Sequence, residues 1–285
     1  MGTIQKVAAF SRRLLGKDFA GRNLSVFADD SFIVSYPRSG STWLRFMVGN
    51  LLQQRNPISF RNIERVIPDI HVNSARYIAK IPRPRILKSH EYFDPRYTKV
   101  VYLVRDPRDI AISYYRYYRK VRRFPDGYPV ERYIAGFLSG NLQSWGSWGE
   151  NVASWLGVRK DTDLFLLIRY EDLLEDPVAE LRAVANFLGI RSTTCELEKS
   201  VELSSAEHMR ELERAEGKDW VTIKGSRQDV PFVGAAQAGI WRSELPADAL
   251  LAIESAWGNI MVKLGYELVS DKVYSTAANS RRLYV

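Results

Sequence analysis

The chain reads as an α/β protein, with a central parallel β-sheet flanked by helices in three layers. Three observations carry that reading. Short apolar, β-rich runs alternate with stretches of helical periodicity. Two of the helical stretches open on the same Asp-Pro device, at Asp106-Pro107 and Asp176-Pro177. The first strand runs straight into a Gly/Ser/Thr turn and a helix, Ser31-Phe-Ile-Val-Ser-Tyr-Pro-Arg-Ser-Gly-Ser-Thr-Trp43.

The predicted strands are 31–36, 85–89, 99–104 and 164–168. The first predicted helix covers 42–52, with Leu44, Met47, Val48 and Leu51 on one face. Asp106 caps a second helix that runs to about Arg119. After Asp176-Pro177, Val178, Leu181, Val184 and Leu188 form a stripe that Gly189 is placed to end. Leu250, Ile253, Trp257, Met261 and Leu264 form a last stripe, stopped by Gly265. No internal repeat or linker divides the chain, so we expect one domain over residues 1–285 with its core at about 31–265.

Lys and Arg number 41 against 33 Asp and Glu, a net charge of +8 that favours anionic ligands. No nucleic-acid recognition motif accompanies it, so no nucleic-acid partner is expected. The single cysteine, Cys195, excludes an intrachain disulfide and a cysteine-based zinc cluster. No run approaches the ~20 apolar residues that span a bilayer. The basic N-terminus lacks an apolar core, and Lys6 spoils a myristoylation motif at Gly2. The cytoplasm is the expected location.

In a parallel sheet, ligands bind beyond the carboxyl ends of the strands. That rule singles out residues 36–42, 88–91 and 105–113. In the first, the turn aims unpaired helix amides and a positive dipole at an anion. Gly40 allows close backbone approach. Ser39, Ser41 and Thr42 add hydroxyls and Arg38 a fixed charge. The turn is not GxxxxGK[ST], because it has no Gly-Lys pair. In the second, Lys88 and His90 share one face of an extended chain. A histidine there can take a proton from an alcohol, and the lysine can meet charge on a leaving oxygen. The alternative is a surface lysine and a structural histidine. His71 and His208 lack a strand-end setting and read as structural. In the third, Arg105 ends a strand and Ser113 lies two turns into the next helix, a pair able to hold a phosphate. The alternative is an Arg105 pair with Asp106 or Asp109.

Together these segments resemble the sulfotransferases that use 3′-phosphoadenosine 5′-phosphosulfate (PAPS), from about Ser31 to Leu264. Tyr36-Pro-Arg-Ser-Gly-Ser-Thr-Trp43 is similar to the family's 5′-phosphosulfate loop, usually written with lysine where Arg38 stands. Lys88-Ser89-His90 resembles the family's Lys-Thr-His, whose histidine is the base. Residues Arg105 to Ser113 resemble the 3′-phosphate segment, and Arg169-Tyr-Glu-Asp-Leu173 a stretch whose tyrosine, here Tyr170, lies at the nucleotide. Gly239-Ile-Trp-Arg242 is similar to the family's Gly-Asp-Trp-Lys. The resemblance implies a P-loop-like fold and sulfuryl transfer from PAPS, leaving adenosine 3′,5′-bisphosphate (PAP), with no metal. His90 would be the base, assisted by Lys88 and Arg38. It also implies Trp43 near the adenine and Ser204 at a hydroxyl position of the nucleotide site.

The sequence departs from the family at three places. Arginine replaces lysine at 38. Gly234-Ala235-Ala236 stands where the family has Arg-Lys-Gly, so Lys224 or Arg227 is expected to supply the missing charge to the 3′-phosphate. Ala206 replaces an aromatic cover for the adenine. The acceptor is expected to be a small molecule or carbohydrate. Tyr114, Tyr115, Tyr117 and Tyr118 among arginines could receive it, as could Trp145, Trp148 and Trp155, or these rings fill the core. A lapsed sulfotransferase, another anionic-nucleotide-binding protein and a P-loop kinase are the competing readings; the missing Gly-Lys pair counts against the last.

Overall fold

The computed structural model describes residues 19–269. Gly2 and Lys6, read above as lacking a myristoylation motif, lie outside them. Strands β1 (Ser31–Ser35), β2 (Ile86–Ser89), β3 (Lys99–Val104) and β4 (Phe165–Arg169) form one sheet in the order β2-β1-β3-β4. All three pairings are parallel. Each strand lies within a residue of its sequence-predicted bounds, because Val, Ile and Phe runs ended by polar or Gly/Pro residues are local signals.

Alternation along the strands sorts side chains onto the two faces. Phe32, Val34, Val100, Tyr102 and Val104 face one core, and Ile33, Val101, Leu103 and Ile168 face the other. Helices α2 (Pro107–Lys120), α3 (Val130–Leu138), α4 (Trp148–Arg159) and α8 (Ala247–Lys263) bring residues to the first core. Helices α1 (Ser41–Leu52), α5 (Pro177–Leu188) and α6 (Thr194–Glu202) cover the second. A third cluster, around Phe46, Phe60, Met209, Trp220 and Phe232, joins α1 to α7 (Ala206–Glu216). No helix among the described residues is long and apolar enough to cross a membrane.

The caps follow the chemistry of the sequence. Asp106 accepts from the Arg108 amide and Asp176 from the Ala179 amide, each with proline in the first turn. Arg108, 2% exposed, bonds Asp106 and Glu254 and lies 3.8 Å from the Trp241 ring. It thereby ties the start of α2 to α8. Trp148 and Trp155 are core residues, whereas Trp145 lies outside the core against two histidines.

Candidate active site

The ends of β1, β2 and β3 present their following residues at one edge of the sheet. After β1 the chain turns through Arg38, at φ 70°, and Gly40, at φ 98°, into α1. A non-glycine residue in the left-handed region costs about 1–2 kcal/mol, so the Arg38 backbone is held against a local preference. At Gly40 a Cβ would stand 2.7 Å from a Tyr170 ring carbon, so glycine is required twice over. No side chain caps α1, which leaves its first amides free for an anion. The Ser39 hydroxyl and Arg105 Nε are buried with no hydrogen-bond partner. Buried polar groups are nearly always paired, so these two atoms fit a site that is completed by a ligand.

Arg105 leaves β3 and stacks 4.1 Å from the Tyr170 ring centre, which contacts Trp43 edge-on at 5.8 Å. Its Nη2 donates to the Gln237 carbonyl. Asp109 lies 3.7 Å away, and both of its oxygens accept amides, from Gly239 and Trp241. The alternative pairing of Arg105 with Asp109 is thus present, but as a buried anchor for the 237–241 segment, because Asp109 is fully buried and its amide bonds replace water. Asp106 is taken by Arg108.

Arg38 Nε donates to Ser113 Oγ at 3.1 Å, so the turn and the Arg105–Ser113 interval converge. No carboxylate stands within ion-pair distance of Arg38 among the described residues. Burial, with the adjacent Arg105 guanidinium adding to it, holds the Arg38 pKa below its ordinary value. Two arginines converging beside an orphaned hydroxyl and uncapped amides form a strongly anion-seeking spot.

His90 follows β2 and is half-buried. Its Nδ1 lies 2.7 Å from the Ser35 carbonyl, at the end of β1. A carbonyl only accepts, so Nδ1 carries the proton and Nε2 the lone pair. Burial first, then the nearby Lys88 ammonium, hold the His90 pKa well below the ordinary 6.5. The ring is therefore neutral at neutral pH.

Sequence reasoning missed two neighbours of this histidine. The segment Pro68–His71 bridges the outer edge of β2, pairing Asp69 with Lys88. Asp69 Oδ2 then lies 2.6 Å from Lys88 Nζ, and both side chains are buried. His71 Nε2 accepts from the His90 amide at 2.8 Å, and its ring stacks on His90. Burial pushes the His71 pKa down to about 4, which keeps that acceptor unprotonated. The available signal was the Asp69-x-His71 alternation, the same one-face spacing as Lys88-x-His90. Trp145 approaches both imidazoles, at 5.0 and 5.2 Å between ring centres.

Three expected nucleotide residues do not join this cluster. Arg227 lies beside the C-terminal end of α2, where its amide bonds the Lys120 carbonyl. Its guanidinium is taken by Asp126 and Asp229 at 2.7 and 2.5 Å. Two turns of helix separate that point from Ser113, so Arg227 cannot supply the missing charge there. Lys224 is exposed on the turn before it. Ser204 is fully buried; its hydroxyl donates to the Ser200 carbonyl and accepts from Asn50, fastening α6 to α1. The tyrosines of α2 divide: Tyr114 and Tyr118 fill the core, while Tyr117 stands 5.2 Å from Arg38.

Ala236, where the resemblance implies glycine, keeps a positive φ of 52°. Relief of about 1–2 kcal/mol of strain, offset by about 0.4–1 kcal/mol of added unfolded-chain entropy, gives the expected result. Ala236→Gly raises stability by up to about 1.5 kcal/mol in denaturant unfolding.

Residues 28–265 match the family described as the sulfotransferase domain. Sulfotransferase 1C2 of Oryctolagus cuniculus is 31% identical over 234 residues, covering 75% of this chain and 77% of that protein. Sulfotransferase 1B1 of Mus musculus is 29% identical over 232 residues, covering 75% and 76%. A mouse sulfotransferase solved with PAP superposes with a TM-score of 0.67 at 23% identity, over 84% of this chain and 86% of that one. The match over residues 28–265, with these relatives, shows that the chain belongs to the sulfotransferase family.

Proposed function

We propose that this chain, a PAPS-dependent sulfotransferase, transfers a sulfuryl group to a hydroxyl or amine of a small-molecule or carbohydrate acceptor, with His90 as the base. We further take it to act as a single domain, in the cytoplasm. The observation that carries the reading is the His90 imidazole. It is neutral, fixed through Nδ1 to the Ser35 carbonyl, and set beside the anion-seeking turn.

PAPS supplies an electrophilic sulfuryl group on a phosphate leaving group. The residues present fit it: the orphaned Ser39 hydroxyl and Arg105 Nε, the Gly40 cradle, Ser41, Thr42 and the uncapped amides of α1. Arg105 and Ser113 would hold the 3′-phosphate, with Trp43 and Tyr170 beside the nucleoside. His90 Nε2 takes the acceptor's proton as the acceptor oxygen or nitrogen attacks. Arg38 and Lys88 meet the charge that moves onto the leaving oxygen. Lys88 gives one donor to Asp69 and keeps two for that task.

The test is a panel of phenols, alcohols, amines and sugars incubated with sulfur-labelled PAPS. Labelled product is the expected result. PAP binding without transfer to any acceptor would instead identify a lapsed enzyme.

A further inference from the structure

Arginine at position 38 has a structural setting that lysine could use only in part. Its guanidinium carbon lies 4.7 Å from the Phe232 ring centre and 5.2 Å from that of Tyr117, and Nη2 donates to the Phe232 carbonyl at 3.1 Å. A planar guanidinium can stack on rings while its fork makes in-plane bonds; an ammonium cannot. Phe232 is itself held from behind. Glu213 accepts the Phe232 and Val233 amides at 2.6 and 2.8 Å. Lys120, 1% exposed, donates to the Val230 and Arg227 carbonyls and lies 3.0 Å from Glu213. Between α7 and α8 the chain forms two short helical turns, Gly217–Asp219 and Trp241–Glu244, and neither includes residue 232, so this pair of buried charges fixes its course there. A bonded path therefore runs from the end of α2 to Arg38.

We propose that Phe232, seated by the Lys120–Glu213 pair, is a positioning residue that fixes the Arg38 guanidinium for the 5′ end of the nucleotide. It rests on the reading of the site as a PAPS site. Among the described residues Arg38 carries no ion pair, and its orientation is set by these ring and carbonyl contacts and by Ser113. The segment that lacks the expected charges at 234–236 thus acts on the nucleotide through Arg38.

The experiment is a double-mutant cycle on PAP affinity, measured by calorimetry, with Arg38→Lys and Phe232→Met. Methionine conserves apolar volume and removes the ring face, and thermal unfolding of each variant checks folding. Phe232→Met in the Arg38 protein is expected to weaken PAP binding about tenfold. In the Arg38→Lys background the same change is expected to have less than about a twofold further effect. Glu213→Gln is expected to repeat the pattern, acting only through Arg38. Equal losses in both backgrounds would overturn the proposal while leaving the nucleotide site intact. A wild-type protein with no PAP affinity would overturn the underlying reading, and the proposal with it.

Discussion

Gly40→Ala is expected to weaken PAP binding by about 100-fold or more, since it blocks backbone approach to the anion and costs left-handed strain of about 1–2 kcal/mol. The added Cβ would stand 2.7 and 2.9 Å from two Tyr170 ring carbons, at a φ of 98°. Tyr170 cannot withdraw without cost. Its ring carries Arg105 at 4.1 Å and touches Trp43 at 5.8 Å. Displacement would therefore disturb both Arg105, proposed to hold the 3′-phosphate, and Trp43, proposed to lie beside the nucleoside. Calorimetry with PAP, alongside denaturant unfolding, separates the two effects. An affinity within about threefold of wild type, at undiminished folding, would show that the anion binds elsewhere.

Asp69→Asn carries the second large effect. Removing one partner of a buried ion pair typically costs about 3–5 kcal/mol, and the amide leaves Lys88 without its counter-charge. Asp69 favours the charged lysine, whereas burial lowers the Lys88 pKa. Losing the carboxylate lowers it further. The ammonium then deprotonates at a lower pH, and the variant's transfer activity falls off on the alkaline side before that of wild type. Arg45, Glu64, His71 and His90 also act on this pair and remain in the variant. The sign for stability is the reverse. The Asp69 pKa is depressed in the folded protein, so its contribution is present above the ordinary carboxylate pKa and is lost as pH falls. A pH–rate profile and an acid-unfolding titration check the two statements. An alkaline limb unchanged in Asp69→Asn would show that Lys88 charge is not needed for transfer.

The parts of the site that the sequence made legible are those built by local signals. Pro37, Gly40 and the hydroxyls mark a strand–turn–helix, and Lys88-x-His90 sits where an apolar run ends. Both were found at the strand ends, where the parallel-sheet rule puts ligands. What stayed hidden depends on partners distant in sequence. Asp69 meets Lys88 through one bridge at the sheet edge, and Glu213 meets Lys120 across the third cluster. Neither follows from periodicity or turn chemistry. Arg227 shows the converse error. Its charge and sequence position suggested a phosphate ligand, but packing carried the 221–230 segment to the far end of α2, beside Asp126. Ser204 matched a hydroxyl position in sequence, yet the α6–α7 junction turned it into the core.

The central claim is that neutral His90 takes the acceptor's proton. It is tested most directly by the rate of labelled sulfate transfer from PAPS across pH 5–9, for wild type and His90→Ala. Its depressed pKa keeps His90 unprotonated below the ordinary 6.5, so wild-type activity is expected to persist past that pH and to fall only as the lowered pKa is reached. The variant is expected to lose about 10²–10⁴-fold in kcat and to lack that acid limb. A variant that transfers within a few-fold of wild type, with the same limb, would contradict the claim.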